Sequence, residues 1–284
     1  MPDLDYTALT DPYDRKAAHA TTKAGGASVA VAVGCSAVLA GVPLTVVGLF
    51  LAMWDPRLVW VAVAVGIVVV LLAARFVHRS RERQVERRWR LARFARANRL
   101  HYTPVVPSPS RPGAVFNMGI NRQSEDQFTF SEPRSFTVGR HVCTAGYRNG
   151  VPMSWGFATT RLSTPAPLPH LMLLSRADSR GHFPLPVGPA TPVKIAVTGP
   201  GADAFTVHGP MGRRDEVQAL LDRTLFRPEA LEVLTTRRVD LEMVDGCLII
   251  HAAETVGTDP ETWRWVLEVV TCAAGSLEVP VTSG

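Results

Sequence analysis

Two long runs without charged residues constrain this chain more than any other feature of its sequence. The first run extends from Ala24 to Trp54 and the second from Leu58 to Ala74. A helix that crosses a hydrocarbon layer of about 30 Å needs about 20 apolar residues, and Phe76 helps the second run to reach that length. Neither run carries the polar face that a surface helix of a soluble protein shows. The sequence therefore predicts two transmembrane helices, at about residues 27–53 and 58–77.

The residues between the two runs fit a tight link between antiparallel helices. Asp55-Pro56-Arg57 is a turn sequence flanked by Trp54 and Trp60, where the aromatic belt of a membrane interface is expected. We therefore predict a transmembrane helical hairpin with Trp54 and Trp60 as interfacial anchors. A cleaved signal peptide is the alternative, but the residues before the first run are acidic and a second apolar run follows it.

The distribution of charge predicts the orientation of this hairpin. The N-terminal tail, residues 1–24, has a net charge of −1, the link has one arginine, and residues 75–99 have ten arginines. Lysine and arginine are enriched on the cytoplasmic side of membrane proteins. We therefore expect a plasma-membrane protein with two spans and both termini in the cytoplasm. The cysteines that follow the spans should then be free thiols, because the cytoplasm is reducing.

Residues 78–99 contain no glycine or proline and should continue the second span as an arginine-rich juxtamembrane helix. At 100° per residue, six of the arginines fall within roughly a third of the helix circumference. These six and the tryptophan of the segment are the predicted membrane-surface contacts: Arg75, Arg79, Arg83, Arg87, Arg90, Arg93 and Trp89. We expect them to contact the anionic headgroups of membrane lipids, with on the order of 1 kcal/mol from each arginine near the surface.

An acidic protein or a nucleic acid is an alternative partner for the arginine cluster. Nucleic acid is disfavoured, because residues 100–284 carry a net charge of −2 and a nucleic-acid-binding domain normally supplies its own basic face. No aromatic stacking platform accompanies the cluster. A protein partner or a second copy of the chain stays open.

The remaining residues, 100–284, predict a soluble α+β domain built from β-hairpins. Asn149-Gly150 and Asp245-Gly246 each lie between two strand-like runs, and these residue types accept the positive φ angles of a two-residue hairpin turn. The stretch Pro104–Pro112 is rich in proline and serine and predicts a linker or a long loop.

Three helices are predicted in the second half of this domain. Apolar residues recur at helical spacing in residues 215–225 and 228–236. Thr258-x-x-Glu261 is a capping box that should open a helix extending to about Ala274. The predicted fold after the membrane hairpin and the basic helix is therefore an antiparallel sheet with a C-terminal helix.

Three short tracts are distinctive in this part of the chain: FARANRLHYTP, PAPLPHLMLLSR and ADAFTV. A leucine-rich helix, a DG hairpin and a terminal helix ending near LEVP follow them. Together they resemble an uncharacterised family of actinobacterial membrane proteins with two N-terminal spans, over residues 90–280. The resemblance implies a cytoplasmic α+β domain but no activity and no catalytic residues. Leu100 stands where the family commonly has an aromatic residue.

The domain lacks the sequence signatures of common enzymes. No G-x-S-x-G elbow, phosphate-binding loop, H-E-x-x-H motif or paired C-x-x-C motif occurs. The histidines have no metal-ligand spacing; they are His101, His141, His170, His182, His208 and His251. We therefore predict no cofactor, no metal and no catalytic residue.

The sequence thus favours a non-catalytic, membrane-anchored cytoplasmic interaction module. A membrane-tethered hydrolase is the first alternative, with Ser154 as nucleophile, His208 or His251 as base and Asp245 as the acid that orients it, if the fold joins them. A lipid- or protein-binding domain resembling the pleckstrin-homology fold is the second alternative, and the helices predicted in residues 215–236 argue against it.

Overall fold

Most of the chain after residue 57 is described by the computed structural model. The described residues are 4–22, 58–132, 134–145, 150–164, 168–177, 185, 192–252 and 257–278. The first predicted span, at about residues 27–53, and its anchor Trp54 lie outside them.

The described residues form seven α-helices, one 3₁₀ turn and nine β-strands. The helices, numbered along the chain, are α1 (Thr7–Thr10), α2 (Arg15–Thr22), α3 (Leu58–Ala97), α4 (Pro200–Ala204), α5 (Arg214–Arg223), α6 (Pro228–Thr235) and α7 (Pro260–Leu277), and the 3₁₀ turn is Val115–Asn117. The strands are β1 (His101–Pro107), β2 (Ile120–Phe130), β3 (Phe136–Ala145), β4 (Val151–Arg161), β5 (Leu171–Ser175), β6 (Val193–Ile195), β7 (Phe205–Gly209), β8 (Val239–Val244) and β9 (Cys247–Ala252). The α+β class and the C-terminal helix are therefore confirmed.

The chain divides into two compact units, one of residues 11–90 and one of residues 1–10 with 91–284. In the first unit, α2 packs on α3 through Glu82. The Glu82 carboxylate accepts a hydrogen bond from Arg15 at 3.0 Å and lies 3.1 Å from His19 Nε2. These contacts are polar and lie near the surface of the unit.

Helix α3 joins the apolar and the arginine-rich segments without a break. Its 40 residues contain no proline, so every turn can keep its backbone hydrogen bonds. From Val63 onward the helix includes an 18-residue window with a mean hydropathy of 1.8, none of which is buried. One helix of the described residues is thus long and apolar enough to cross a membrane.

The nine strands of the second unit form one antiparallel sheet, in the order β1-β2-β3-β4-β9-β8-β5-β7-β6. Strands β8 and β9 pair as far as Val244 opposite Cys247. Asp245 and Gly246 connect them with φ angles of 50° and 72°, so this predicted hairpin is confirmed. Strands β3 and β4 also pair as neighbours, as far as Ala145 opposite Val151. Five residues connect them, so the predicted two-residue turn at Asn149-Gly150 is wrong; residues 146–149 lie outside the described residues.

One face of the sheet packs against helices and forms the main core; we call it the helix face. Val138, Ala158 and Ile250 lie on it, since they are paired across adjacent strands. Trp263 of α7 and Phe94 of α3 pack in the same core with their ring centroids 4.8 Å apart. The last turns of α3 therefore belong to the core of the α+β unit.

The alternate residues of the same strands point to the opposite face, which we call the polar face. His141 is paired with Trp155, and His251 is paired with both Phe157 and Asp240. Residues 111–119, which contain the 3₁₀ turn, cover this face and bury small apolar clusters against it. The sheet is therefore buried on both sides, with different chemistry on each.

Two parts of the fold differ from the sequence prediction at the start of the sheet. Pro104 and Pro107 lie in β1 and not in a linker. Strand β1 is at the edge of the sheet, where proline is tolerated because one row of amide groups needs no partner. Strand β2 begins at Ile120; its polar residues, such as the buried Ser124 and Asp126, hide the usual alternation of a strand.

The predicted start of the C-terminal helix is also wrong by one residue. Asp259, and not Thr258, is the N-cap of α7, and its carboxylate accepts hydrogen bonds from the backbone N–H groups of Glu261 at 3.2 Å and Thr262 at 2.9 Å. Proline at the next position fixes the φ angle of the first turn. The helix then continues to Leu277, beyond the predicted end.

Candidate functional site

Three of the six predicted contact arginines are exposed on α3. These are Arg75, Arg79 and Arg83, and no ion pair joins them to another residue in the part of the chain that the structure describes. The two acidic residues of the segment, Glu82 and Glu86, are engaged by other basic side chains. The three exposed guanidinium groups therefore keep their charge available for an anionic surface.

The other three contact arginines, Arg87, Arg90 and Arg93, are half-buried. Arg90 donates hydrogen bonds to Glu86 Oε1 at 2.9 Å and to the backbone carbonyl of Asp11 at 2.6 Å. It therefore ties α3 to the N-terminal tail within the first unit.

The two described tryptophans of the predicted membrane contacts lie in opposite environments. Trp89 is 9 % exposed and packs edge-on against Tyr13, with ring centroids 5.6 Å apart. Burial raises the pKa of the Tyr13 phenol, and nearby Glu82 adds to that effect. Trp60 is 77 % exposed, so it has the accessibility that an interfacial anchor needs, whereas the Trp89 indole is occupied inside the unit.

The fold does not join the residues of the predicted hydrolase triad. Ser154 is paired with Val142 and accepts a hydrogen bond from Arg140 at 3.3 Å. Since Phe157 is paired with His251, His251 lies on the polar face, and side chains three positions apart on a strand point to opposite faces. Ser154 therefore lies on the other side of the sheet from His251. The alternative base, His208, lies on β7, which β9, β8 and β5 separate from β4.

A surface groove of about 800 Å³ lies where β3 begins and β4 ends. Hydroxyl groups such as those of Ser135 and Ser163 line it, together with the guanidinium groups of Arg134 and Arg161. Among the described residues, no histidine and no carboxylate lines this groove. The Glu278 carboxylate joins two of these lining residues, since it accepts hydrogen bonds from Arg134 and from the backbone N–H of Ser163.

The polar face carries a row of buried polar side chains from β2, β3, β9 and β8, with the rings of Trp155 and Phe157 of β4 between β3 and β9. Ser124 of β2 is paired with His141 of β3, and His251 of β9 is paired with Asp240 of β8. Glu242 follows two positions after Asp240, and all five residues are 0 % exposed. Buried polar groups are expensive unless they are satisfied, so this row is the candidate functional site.

One end of the row is centred on the Glu242 carboxylate. It accepts a hydrogen bond from the backbone N–H of Ala114 at 2.9 Å and lies 2.9 Å from His170 Nε2. His251 Nε2 lies 3.9 Å from the same carboxylate. The His170 side chain is 35 % exposed, so this end of the row reaches solvent through a histidine.

The other end of the row is poorly satisfied. Among the described residues, the Ser124 hydroxyl has no hydrogen-bond partner, and neither ring nitrogen of His141 has one. Burial lowers the pKa of His141 to about 4, and the charges of nearby His251, Arg111 and Arg122 act in the same direction. The His141 ring is therefore neutral near pH 7 and lies in positively charged surroundings.

Residues 111–119 place Phe116 directly over this row. The Phe116 ring lies 5.0 Å from the ring of His141 and 5.1 Å from that of Phe157. Gly113 allows this close approach, with a φ angle of +110°; a Cβ there would lie 2.6 Å from Ile249 Cδ1. The covering segment is thus fixed by backbone geometry that an L-residue rarely adopts.

Arg111 lies at the rim of the covered region. Its guanidinium group lies 4.7 Å from the ring centroid of Phe157 and 5.6 Å from that of Phe116, and Nη2 donates to Gln127 Oε1 at 2.5 Å. Nη1 is buried and has no partner among the described residues. Burial lowers the pKa of Arg111, and no described carboxylate forms an ion pair with it.

Sequence reasoning missed this row because its members are scattered along the chain. One pairing of the row follows from the sequence. In a hairpin with Asp245 and Gly246 as its two turn residues, Asp240 must be paired with His251. The pairing of Ser124 with His141 carried no such signal, since a bulge interrupts the register of β2 on β3 and the start of β2 was not predicted.

The described residues contain no group of three histidine, cysteine, aspartate or glutamate side chains arranged to hold a metal ion. At the Glu242 end of the row, the carboxylate is engaged by the backbone of Ala114 and by His170. Comparison of the chain with known proteins finds no matching family model, no matching curated protein and no matching solved structure.

Proposed function

We propose that this protein is a membrane-anchored interaction module whose α+β domain lies in the cytoplasm. The observation that carries the proposal is the exposed apolar surface of α3. Trp60, Leu71, Leu72 and Phe76 are 77, 63, 61 and 73 % exposed. Apolar surface left in water costs about 25 cal/mol per Å², and a contiguous exposed patch marks a membrane or protein contact. A lipid environment removes this cost along the whole apolar part of the helix.

The charge on the same helix supports an orientation. Arg75, Arg79 and Arg83 follow the apolar part directly and are exposed, so they are placed to contact anionic headgroups. With the first predicted span, this arrangement gives two spans in the plasma membrane and both termini in the cytoplasm. The resemblance to the actinobacterial membrane-protein family supports the same architecture.

The α+β domain supports binding better than catalysis. No histidine and no carboxylate among the described residues lines its surface groove, and Ser154 is separated by the sheet from His251. The net charge of −2 over residues 100–284 disfavours nucleic acid, which leaves lipid, a protein partner or a second copy of the chain as the partner. The helices α5 and α6, which argue against a pleckstrin-homology-like domain, are both present.

Membrane anchoring and orientation are tested together by cysteine labelling of the full-length chain in cells. Met211 is 80 % exposed, so Met211→Cys should be labelled by a membrane-impermeant maleimide only after the cells are permeabilised. Asp55→Cys, in the predicted link, should be labelled in intact cells. The native Cys143 thiol is 1 % exposed, which makes it a poor probe, and the unsubstituted chain supplies the background.

Two results would contradict the proposed anchoring. One is recovery of the chain in the soluble fraction after alkaline washing of membranes without detergent. The other is labelling of Met211→Cys in intact cells, which would place the domain outside. Retention in the membrane with labelling only after permeabilisation supports both parts of the proposal.

The role of the exposed arginines is tested by the lipids that the chain retains on purification. We expect the detergent-purified full-length chain to retain phosphatidylglycerol in excess over neutral lipid, because three guanidinium groups face the headgroups. The variant with Arg75, Arg79 and Arg83 changed to glutamine should lose that excess. A control with the same loss of charge changes three exposed arginines of the domain, Arg214, Arg223 and Arg227.

The control separates local contact from general electrostatics. Equal loss of phosphatidylglycerol in both triple variants would show that net charge, and not the position of the arginines on α3, determines lipid retention. An unchanged lipid content in the α3 variant would remove the headgroup contact from the proposal and leave only the anchor.

A further inference from the structure

The unsatisfied end of the polar row needs a partner that the described chain does not supply. Ser124 and His141 face each other on adjacent strands, yet they do not bond to each other. Both are 0 % exposed. A buried hydroxyl and a buried imidazole without partners each cost on the order of 1 to 3 kcal/mol. The two groups together therefore define a place where an external group would gain hydrogen bonds.

The charge around this place has one sign. Arg111 and Arg122 both contact Phe116, whose ring lies 5.0 Å from that of His141, and neither arginine forms an ion pair with a described carboxylate. Arg111 Nη1 is buried without a partner, whereas Arg122 Nη1 donates to the backbone carbonyl of Phe116 at 3.1 Å. Two cationic side chains beside hydrogen-bond donors that have no partner favour the binding of an anion and disfavour that of a metal ion.

The acidic side chains of the region are used elsewhere. Glu242 is held by Ala114 and His170, and Glu125 lies 3.6 Å from Arg140 on the other face of the sheet. Asp240 accepts a hydrogen bond from the backbone N–H of Ser175 and Asp126 accepts one from the Tyr102 hydroxyl, and no described carboxylate forms an ion pair with Arg111. An oxygen-rich anion would balance that charge, and the half-buried side chains of Arg111 and Arg122 lie between solvent and the buried donor atoms.

We propose that Arg111, Arg122, Ser124 and His141 form a binding site for a small oxyanion, a phosphate or carboxylate group, at the rim of the polar face. The Arg111 Nη1–H, the Ser124 hydroxyl and a ring N–H of His141 donate to its oxygens, and Arg122 supplies a second charge. The rings of Phe116 and Phe157 flank the site and exclude water, which strengthens these charge-assisted bonds. The site does not depend on membrane anchoring.

The site is tested by calorimetric titration of the detergent-purified full-length chain with inorganic phosphate and, separately, with acetate. Sodium chloride at the same ionic strength is the reference. We expect saturable binding of at least one of the two anions. The ring resonances of His141, assigned from the spectrum of His141→Gln, should shift as the site fills.

Two variants probe the contacts without removing the fold. Arg111→Gln should weaken binding roughly tenfold or more, because a hydrogen bond to a charged group contributes about 1.5 to 3 kcal/mol and 1.4 kcal/mol is a factor of ten. Ser124→Ala should also weaken binding, while the chain without anion becomes no less stable, since the alanine leaves no hydroxyl unsatisfied. If Arg111→Gln unfolds, Ser124→Ala alone decides the question.

The matched control is Arg140→Gln. It also removes one positive charge, but from the helix face of β3, on the opposite side of the sheet from the proposed site. Its binding should equal that of the unsubstituted chain. Absence of saturable binding relative to chloride, or equal loss in Arg140→Gln and Arg111→Gln, would overturn the proposed site. The first result would mean that ordered water satisfies the Ser124 hydroxyl and the His141 ring. The second would mean that the net charge of the chain, and not the position of Arg111, determines anion binding.

The same oxyanion chemistry exists in free phosphate and in a lipid headgroup. A short-chain phosphatidic acid, added below its micelle concentration, provides the second arm of the titration. Tighter binding of the lipid than of inorganic phosphate, lost in Ser124→Ala, assigns the site to a lipid phosphate. Equal or weaker binding of the lipid assigns it to a free anion.

Discussion

Acidification should destabilise the α+β unit through one residue, His141. The pKa of its ring is about 4 in the folded chain and about 6.5 when the chain is unfolded. The folded state therefore favours the neutral ring, and stability is complete above about pH 6.5. As the pH falls, the unfolded chain takes up the proton first, so stability is lost between about pH 6.5 and pH 4.

The size of the loss follows from the same two pKa values. The unfolded chain gains about 2 kcal/mol relative to the folded chain by pH 5, and about 3 kcal/mol by pH 4. Carboxyl groups titrate mostly below pH 5, so the interval from pH 6.5 to pH 5 isolates the histidine contribution.

The measurement is the free energy of unfolding by urea, followed at several pH values for the full-length chain and for His141→Gln. We expect the unsubstituted chain to lose about 1.5 kcal/mol more than the variant between pH 6.5 and pH 5. The comparison uses the change with pH, because the glutamine amide alters the stability at every pH. Equal pH dependence of the two proteins, or a ring pKa near 6.5 by NMR, would refute the reasoning.

Three further predictions concern the described fold. Asp259→Ala should lower the free energy of unfolding by about 1 kcal/mol, because it removes the N-cap of α7, whereas Thr258→Ala should not; equal losses would contradict the observed cap. Gly113→Ala should cost more than about 1 kcal/mol through its positive φ angle, and a neutral result in thermal unfolding would show that residues 111–119 relax freely. Glu278→Gln should cost about 1 to 2 kcal/mol, since its carboxylate accepts from Arg134 and from the backbone of Ser163, and an unchanged melting temperature would count against that bond network.

The sequence predicted those parts of the fold that have a local signal. The Asp245-Gly246 turn requires positive φ angles and fixes the register of β8 on β9. The absence of proline in 58–97 predicts one continuous helix, which α3 is. In both cases, the residue types within a few positions determine the result.

The candidate site had no such signal, because its members meet only through long-range pairing. Ser124 and His141 are neighbours through a bulged register between two strands, and residue types near either of them do not encode that register. The burial of Trp89 depends on Tyr13, which is far away in sequence. A pattern on α3 alone therefore could not separate an exposed tryptophan from one that packs inside the unit.

The two ends of the sheet determine how copies of this protein can meet. The terminal strand β1 contains Pro104 and Pro107, which carry no amide hydrogen, and the terminal strand β6 has only three residues. Neither offers the long row of free amides that templates strand addition between molecules. Among the described residues, neither end of the sheet is therefore suited to strand addition between copies of the chain, and we expect any self-association to use side-chain surfaces instead.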